Sequence, residues 1–317
     1  MKAIVVILNK NNAESLERCL KSLVNQKAEV GRDFDVLVLD GASTDNSRDV
    51  ALKFSSYGVI FKVQDRLGGT GFARIEGCMH ALKCGYDVVV WGDSENVYDR
   101  EYISKILEKL KDFDAVGGIP TFEGSFFDHA FAWYHAIHIL IPNLHKFHLP
   151  GNNKAEKTWI YKEVMYPPSV RAEDYGFSLL ILKKGIKLKQ TFTDAFVQVS
   201  TPKRFREVIM WQDARAKGVA QALRFVGFKP YDVVAWSMIS ILLLIFSLLS
   251  LINPIPICIY LIALTSLSIY LGVRSKRFIK NFKWIYVSSP LVGIIIHSLY
   301  SIKALIYYMR WSNERFG

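Results

Sequence analysis

The chain reads as an α/β protein built on a mostly parallel sheet and followed by a C-terminal helical membrane region. Three observations carry that reading. Short apolar runs alternate with amphipathic stretches, as strands alternate with crossover helices. One such run, Val88-Val89-Val90-Trp91-Gly92, passes directly into Asp93-Ser94-Glu95. A buried strand ending in acids delivers them to the carboxyl edge of a parallel sheet, where open α/β folds bind ligands. From Val233 onward, long uncharged segments replace this alternation.

Ala3 to Leu8 is the first buried strand. The polar turn Asn9-Lys10-Asn11-Asn12 and a helix with Leu16, Cys19, Leu20 and Leu23 at helical spacing follow. Val36 to Leu39 is a second strand ending at Asp40, then come the turn Gly41 to Asp45 and a helix near Ser47 to Phe54. A strand over Val59 to Val63 precedes Gly68-Gly69-Thr70-Gly71, which opens a helix to about Leu82, and the strand before Asp93 comes next. Arg100 to Leu110 is a helix and Ala115-Val116 a short strand, after which the alternation stops. This order predicts right-handed crossovers. Met1-Lys2 is followed by six apolar residues before Asn9, too few for the apolar region of a signal peptide.

The 317 residues predict a cytosolic α/β domain over 1–232 and a transmembrane region of about three helices over 233–317. Val233 to Ile252 carries no charge. Asn253-Pro254-Ile255-Pro256 breaks it, Ile257 to Val273 is a second span, and about Ile285 to Ile302 a third. Pro290, Gly293, His297 and Ser298 interrupt that third run, which leaves a tilted or partly interfacial helix open there. The loop Arg274 to Lys283 carries five positive charges and no negative one. Positive loops stay in the cytoplasm, so the residues before Val233 also lie inside, and the tail lies outside if the third run crosses fully.

Phe126 to Ile141 is too aromatic for an ordinary exposed helix and too short to span, which predicts an interfacial segment over about 126–148 and, from its basic residues, a second over about 203–228. His135 and His138 share a helical face by spacing, but no Cys or carboxylate cluster completes a metal set. These two, with His129, His145 and His148, read as headgroup-level histidines. The net charge of +11 gathers near the membrane, at Lys203-Arg204-Phe205-Arg206, Arg215, Lys217, Arg224 and Lys229. Anionic lipids or substrate phosphates account for it more simply than nucleic acid. Cys19, Cys78, Cys84 and Cys258 form no Cys-x-x-Cys pair and predict free thiols.

Four polar groups accompany the Asp93/Glu95 pair, whose hard oxygens suit Mg²⁺ or Mn²⁺ bound to a diphosphate. Asp40 ends a strand, where a carboxylate accepts from a nucleobase or ribose; helix capping accounts for Thr44, Asp45 and Asn46 but leaves Asp40 without a role. Gly68 to Gly71 with Arg74 could approach phosphate, or form an ordinary flexible turn. It satisfies neither G-x-G-x-x-G nor a P-loop, which disfavours a dehydrogenase or P-loop ATPase. Glu173-Asp174 begins a helix that ends at Lys183-Lys184-Gly185; acids there compensate the helix dipole, and an ionised carboxylate also suits a general base. Gln212 and Arg215 share a helix face, either as a solvated basic surface or as donors to a departing diphosphate.

The order Val5 to Asn12, Asp40-Gly41-Ala42-Ser43-Thr44-Asp45, Asp93-Ser94-Glu95, Glu173-Asp174 and Gln212-x-x-Arg215 resembles the family-2 glycosyltransferases of GT-A (Rossmann-like) fold. The likeness is greatest to membrane-anchored members similar to cellulose synthase and polyprenyl-phosphate sugar synthases, and it runs to about Gly218. It implies inverting transfer from a nucleotide-diphosphate sugar, with Asn11, Asp40, Arg74 and Asp93 as donor-binding residues and Asp40 near the nucleobase. Asp93 and Glu95 would hold the metal. Asp174 would be the general base, with Glu173, Gln212 and Arg215 in the catalytic group. The implied acceptor is polyprenyl- or dolichol-linked, reached from the membrane face.

Three departures stand out: Glu95 replaces the usual second Asp, Ile75 the Asn after Arg, and Ala216 the Trp of processive enzymes. Addition of a single sugar is therefore implied, with GDP-mannose slightly ahead of UDP-glucose. The rival class is a membrane-tethered nucleotide-sugar-binding protein without transferase activity. A nucleotidyltransferase, which would release pyrophosphate, is a further alternative.

Overall fold

The computed structural model describes residues 1–310; residues 311–317, the tail that orientation would place outside, lie beyond the described residues. Along the chain the elements are β1 (Ala3–Asn9), α1 (Ala13–Val24), β2 (Phe34–Asp40), α2 (Ser47–Leu52), β3 (Val59–Val63), α3 (Thr70–Lys83), β4 (Val88–Asp93), β5 (Val97–Tyr98) and α4 (Tyr102–Lys109). Then come β6 (Ala115–Thr121), α5 (Phe126–His135), α6 (Ile137–Leu140), β7 (Lys154–Lys157), α7 (Trp159–Glu163), α8 (Glu173–Lys183) and β8 (Gln190–Gln198). The last are α9 (Phe205–Val226), α10 (Tyr231–Leu249), α11 (Ile255–Ser275) and α12 (Pro290–Arg310).

They form two compact units, one of residues 1–121 with 141–200, the other of 122–140 with the chain from 201 onward. The segments 126–140 and 205–226 cluster with the apolar helices because their small and aromatic residues, among them Phe131, Trp133, Ala216 and Ala220, are buried there.

The first unit holds one sheet in the order β3-β2-β1-β4-β7-β6-β8-β5. β1 pairs in parallel with β2 and β4, as do β2 with β3 and β6 with β8, while β7 runs antiparallel to β4 and β6, and β5 antiparallel to β8. Every residue of β1 is buried, which is why it reads as a continuous apolar run. The predicted short strand at Ala115-Val116 extends to Thr121, and β7 was not foreseen at all. Its sequence Lys-Ala-Glu-Lys has no apolar signal, because it buries an ion pair: Lys154 Nζ lies 2.7 Å from Glu156 Oε1. Register sets the functional edge. Asn9 pairs with Asp40 and Leu8 with Asp93, so three adjacent parallel strands end in a polar row.

In the second unit α12 packs on α5, α9 and α10. A Cβ at Gly293 would sit 2.1 Å from the Ala130 carbonyl oxygen, so the α5 and α12 backbones touch and any larger residue would part them. Three segments, Tyr231–Leu249, Ile255–Phe278 and Trp284–Arg310, are long and apolar enough to cross a membrane. The histidines of this unit have protein partners. His129 is buried, its Nδ1 2.8 Å from the Ser125 carbonyl while Nε2 accepts from the Lys283 N–H at 3.0 Å, a pair of bonds that fits the neutral Nδ1–H tautomer. His135 ends α5 and stacks on Trp211, whereas His138 falls on α6, so the break at Ala136 undoes the shared face that spacing suggested. Part of the basic charge is neutralised at Asp213, which binds Lys217, Lys303 and the Tyr307 hydroxyl.

Candidate active site

Asp40 has the structural role that capping alone did not give it. It is 2% exposed, and its carboxylate accepts from Asn9 Nδ2 at 2.7 Å, from the Ser43 N–H at 2.7 Å and from Ser43 Oγ at 2.6 Å. Asn11 closes the same corner. Its N–H donates to Ser43 Oγ at 2.8 Å and its Oδ1 accepts from the Thr44 N–H at 2.7 Å. The β1 and β2 loops are thereby locked into one edge.

The β4 terminus is arranged differently. Asn96 N–H donates to the Asp93 carbonyl and the Ser94 N–H to Leu8, which curls residues 93–96 into a tight turn. Among the described residues, however, no donor bonds the Asp93 carboxylate, and Glu95 is exposed with one long contact, 3.4 Å, from Asn12 Nδ2. Burial pushes the Asp93 carboxyl above the usual range, with Glu173 and Asp174 adding to the rise and Arg74 and Arg171 opposing it. Partial desolvation and the Asp93 charge push Glu95 the same way. Two hard-oxygen groups short of positive charge fit a divalent cation whose other ligands are waters and substrate phosphate oxygens. No group of three or more His, Cys, Asp or Glu side chains able to hold a metal occurs among the described residues.

The glycine-rich turn is not a phosphate cradle. A Cβ at Gly71 would lie 2.3 Å from the Pro167 carbonyl oxygen, and one at Gly69 2.4 Å from Val170 Cα. The glycines are there because the 167–170 backbone lies against α3. The Thr70 and Gly71 N–H groups are spent on the Val170 and Ser169 carbonyls at 3.2 and 3.0 Å.

Arg74, one turn on, is buried between Trp91 and Tyr166, its guanidinium 4.8 and 5.5 Å from their ring centres. Its Nε donates to Glu173 Oε1 at 2.7 Å, and Glu173 Oε2 accepts from the Thr70 hydroxyl. Glu173 is therefore held in an ion pair with Arg74 and a bond from Thr70. Arg74 Nη1 is buried with no partner among the described residues.

Asp174 faces the other way. Its Oδ2 accepts from the Gly151 N–H at 2.8 Å and its Oδ1 from the Tyr175 N–H at 2.8 Å. Burial opposes its ionisation, but His148, Lys154, Arg74 and the Gly151 N–H outweigh it and hold the carboxyl below the usual range. Gly151 lies against both Arg74 and Asp174, and Asn96 Nδ2 donates to the neighbouring Asn152 carbonyl at 2.7 Å. The β4 turn, Arg74 and the head of α8 thus meet at one short segment, 148–154.

That segment was invisible in the sequence. His148 belongs to it rather than to a lipid surface: its Nδ1 bonds Ser178 Oγ at 3.0 Å, and Ser178 in turn donates to the Asp174 carbonyl at 2.9 Å. Lys154 and Glu156 form the floor. Glu156 Oε2 collects Trp91 Nε1 at 3.1 Å and the Tyr161 and Tyr166 hydroxyls at 2.8 and 2.7 Å. The signal was the Lys-x-Glu spacing, which puts opposite charges on one face of a strand. Arg171, whose charge reaches both Asp93 and Glu95, had no signal beyond its nearness to Glu173. Gln212 and Arg215 lie in the second unit. Arg215 Nε donates to Gln212 Oε1 at 3.0 Å, and the guanidinium sits 5.5 Å above Tyr134.

Comparison with known proteins places these observations. The chain is 30% identical over 125 residues to an uncharacterized glycosyltransferase of Nostoc sp. (strain PCC 7120), covering 37% of this chain and 35% of the relative. It is 33% identical over 123 residues to an undecaprenyl-phosphate mannosyltransferase of Micrococcus luteus, covering 37% and 48%. The matches thus span about a third and about half of those relatives. A mannosyltransferase from Pyrobaculum calidifontis, solved with GDP-Man and Mn²⁺, shares the fold with a TM-score of 0.61 at 17% identity over 98% of this chain and 88% of that one. Glucosyl-3-phosphoglycerate synthase from Mycobacterium tuberculosis, solved with Mn²⁺ and UDP-glucose, does so at 0.51 and 15% identity over 72% and 80%. Residues 4–169, which contain the Asp40 and Asp93 edges, match the profile of Glycosyl transferase family 2, and the chain belongs to that family.

Proposed function

We propose that this protein is an inverting glycosyltransferase that moves one sugar from a nucleotide-diphosphate sugar to a lipid-linked acceptor at the membrane. The observation that carries the reading is the convergence on segment 148–154 of the Asp93/Glu95 turn, the Arg74 guanidinium with its unpartnered Nη1, and the ionised Asp174. Asp93 and Glu95 would hold Mg²⁺ or Mn²⁺, which supplies positive charge to the leaving diphosphate. The remaining work falls to the chain. Asn11 and Asp40 shape the nucleotide side, and Arg74 faces donor phosphate. The acceptor oxygen attacks the anomeric carbon, Asp174 takes the proton where that oxygen is a hydroxyl, a phosphate oxygen attacking already ionised, and the sugar–phosphate bond breaks with its electron pair leaving on the nucleoside diphosphate. Gln212 and Arg215, in the second unit, would serve the phosphate of the acceptor rather than that of the donor.

Three apolar helices and the polyprenyl-phosphate relative support a lipid acceptor, and the basic loop Arg274 to Lys283 supports a cytoplasmic first unit. GDP-mannose is favoured as donor because that relative is a mannosyltransferase. Ala216 is fully buried, so the Trp of processive enzymes has no room there, which supports single addition.

The test is nucleoside diphosphate release by purified protein, across UDP- and GDP-sugars with Mn²⁺ or Mg²⁺, with and without polyprenyl-phosphate acceptors. Release that requires one donor, metal and acceptor is expected. Nucleotide binding with no release across the panel would instead make this a tethered binding protein, and pyrophosphate release a nucleotidyltransferase.

A further inference from the structure

His297 lies on α12, inside an apolar segment, 4% exposed, with its Nδ1 buried and unpartnered among the described residues. Rings enclose it: Trp236 at 4.8 Å, Tyr134 at 5.1 Å and Trp133 at 5.9 Å between centroids. Tyr134 is the ring beneath the Arg215 guanidinium, and Arg215 Nε fixes the Gln212 amide by bonding its Oε1. Gln212 is fully buried, and its Nε2 also has no partner among the described residues.

An unsatisfied buried polar atom costs about 1–3 kcal/mol, and two in one cluster are not kept by packing alone. An ionisable side chain inside an apolar span points to function for the same reason. With the imidazole in its Nδ1–H tautomer, a ring N–H and an amide N–H beside a guanidinium, walled by aromatic rings, make a donor set for an oxygen anion attached to an apolar chain.

We infer that His297, with Gln212 and Arg215, binds a phosphate carried on a lipid, the surrounding rings taking the first carbons of its chain. The inference deepens the lipid-acceptor reading and rests on it. Two sources share this chemistry, a polyprenyl phosphate and a glycerophospholipid headgroup.

The experiment uses the full chain in phosphatidylcholine nanodiscs, with tryptophan fluorescence read as undecaprenyl phosphate or, separately, phosphatidylglycerol is increased. Wild type is expected to give a saturable change. His297→Phe, which keeps the aromatic packing, should weaken it about tenfold, and His297→Gln, which keeps an N–H donor, should stay within about threefold. A His297-dependent response to undecaprenyl phosphate alone supports the site and names the acceptor as its ligand; an equal response to both lipids supports it with bulk headgroups as the ligand. A folded His297→Phe protein that titrates like wild type overturns it. The two readings separate cleanly. Absence of sugar transfer with His297-dependent binding intact sinks the transferase and leaves the site, while transfer whose acceptor KM ignores His297→Phe sinks the site and leaves the transferase.

Discussion

Two pairs of acids, Glu173-Asp174 and Asp93-Ser94-Glu95, are treated in opposite ways. In the pair at the head of α8, Glu173 is saturated by Arg74 and Thr70, and Asp174 accepts two backbone N–H bonds. In the pair after β4, no donor among the described residues bonds the Asp93 carboxylate, and Glu95 has one weak contact. Partnered acids hold the architecture. Unpartnered acids are a cost to the fold, and a cation would offset it. Within the partnered pair the roles divide again, since Glu173 faces a buried guanidinium and Asp174 faces the loop that the other elements share.

The comparison breaks hardest at the two aspartates. Asp174→Asn keeps an oxygen for the Gly151 N–H and should fold, while sugar transfer falls by about 10²–10⁴ with nucleotide binding preserved. A loss of less than tenfold would assign proton removal elsewhere, as for an acceptor phosphate that arrives already ionised. Asp93→Asn should abolish metal-dependent turnover to a similar degree, yet leave the melting temperature unchanged or higher, because it removes a half-buried charge with no protein donor among the described residues. A clear drop in melting temperature for metal-free Asp93→Asn would mean that the carboxylate has a structural partner after all.

Next in size is the ion pair. Glu173→Ala leaves the Arg74 guanidinium buried and uncompensated, at an expected loss of about 3–5 kcal/mol in denaturant unfolding. Arg74→Met combined with Glu173→Leu should recover most of that, since a matched apolar pair replaces both charges. If Glu173 were instead the base, Glu173→Gln would abolish turnover in a protein of near-native stability. The Lys154–Glu156 pair sharpens the contrast from below: Lys154→Met should also destabilise, by a few kcal/mol, because Glu156 would keep its charge with three neutral donors but no cation.

Much of the edge was legible because its signal is local. A run of buried residues that stops at Asp40 or Asp93 states both the strand and its end, and register then brings Asn9, Asp40 and Asp93 together. What failed was whatever depended on a distant partner. Gly69 and Gly71 looked like a phosphate turn because nothing local reveals that Pro167 to Val170 lies on them. Residues 148–154 looked like the tail of an interfacial segment because their contributions are backbone groups, the Gly151 N–H and the Asn152 carbonyl, which any residue can supply. β7 was hidden because its buried charges cancel each other rather than being replaced by apolar side chains.

The smaller effects test how far the logic of partnered acids extends. Asp174 has a carboxyl held low in the folded state, so its contribution to stability is complete above the unfolded value and disappears as pH falls through the folded one. Asp174→Asn should therefore flatten the acid limb of a stability–pH curve, and an unchanged limb would mean that the charges of His148 and Lys154 do not act on it. Asp40 is the mildest case, a fully bonded acid at a loop corner. Ser43→Ala removes one of its three donors and should cost about 1 kcal/mol, read as a small shift in denaturant midpoint at constant slope. Nucleotide affinity should fall with it, because Ser43 Oγ also receives the Asn11 N–H and so couples the two loops. If stability drops while nucleotide affinity holds, the corner braces the sheet edge and the base is read elsewhere.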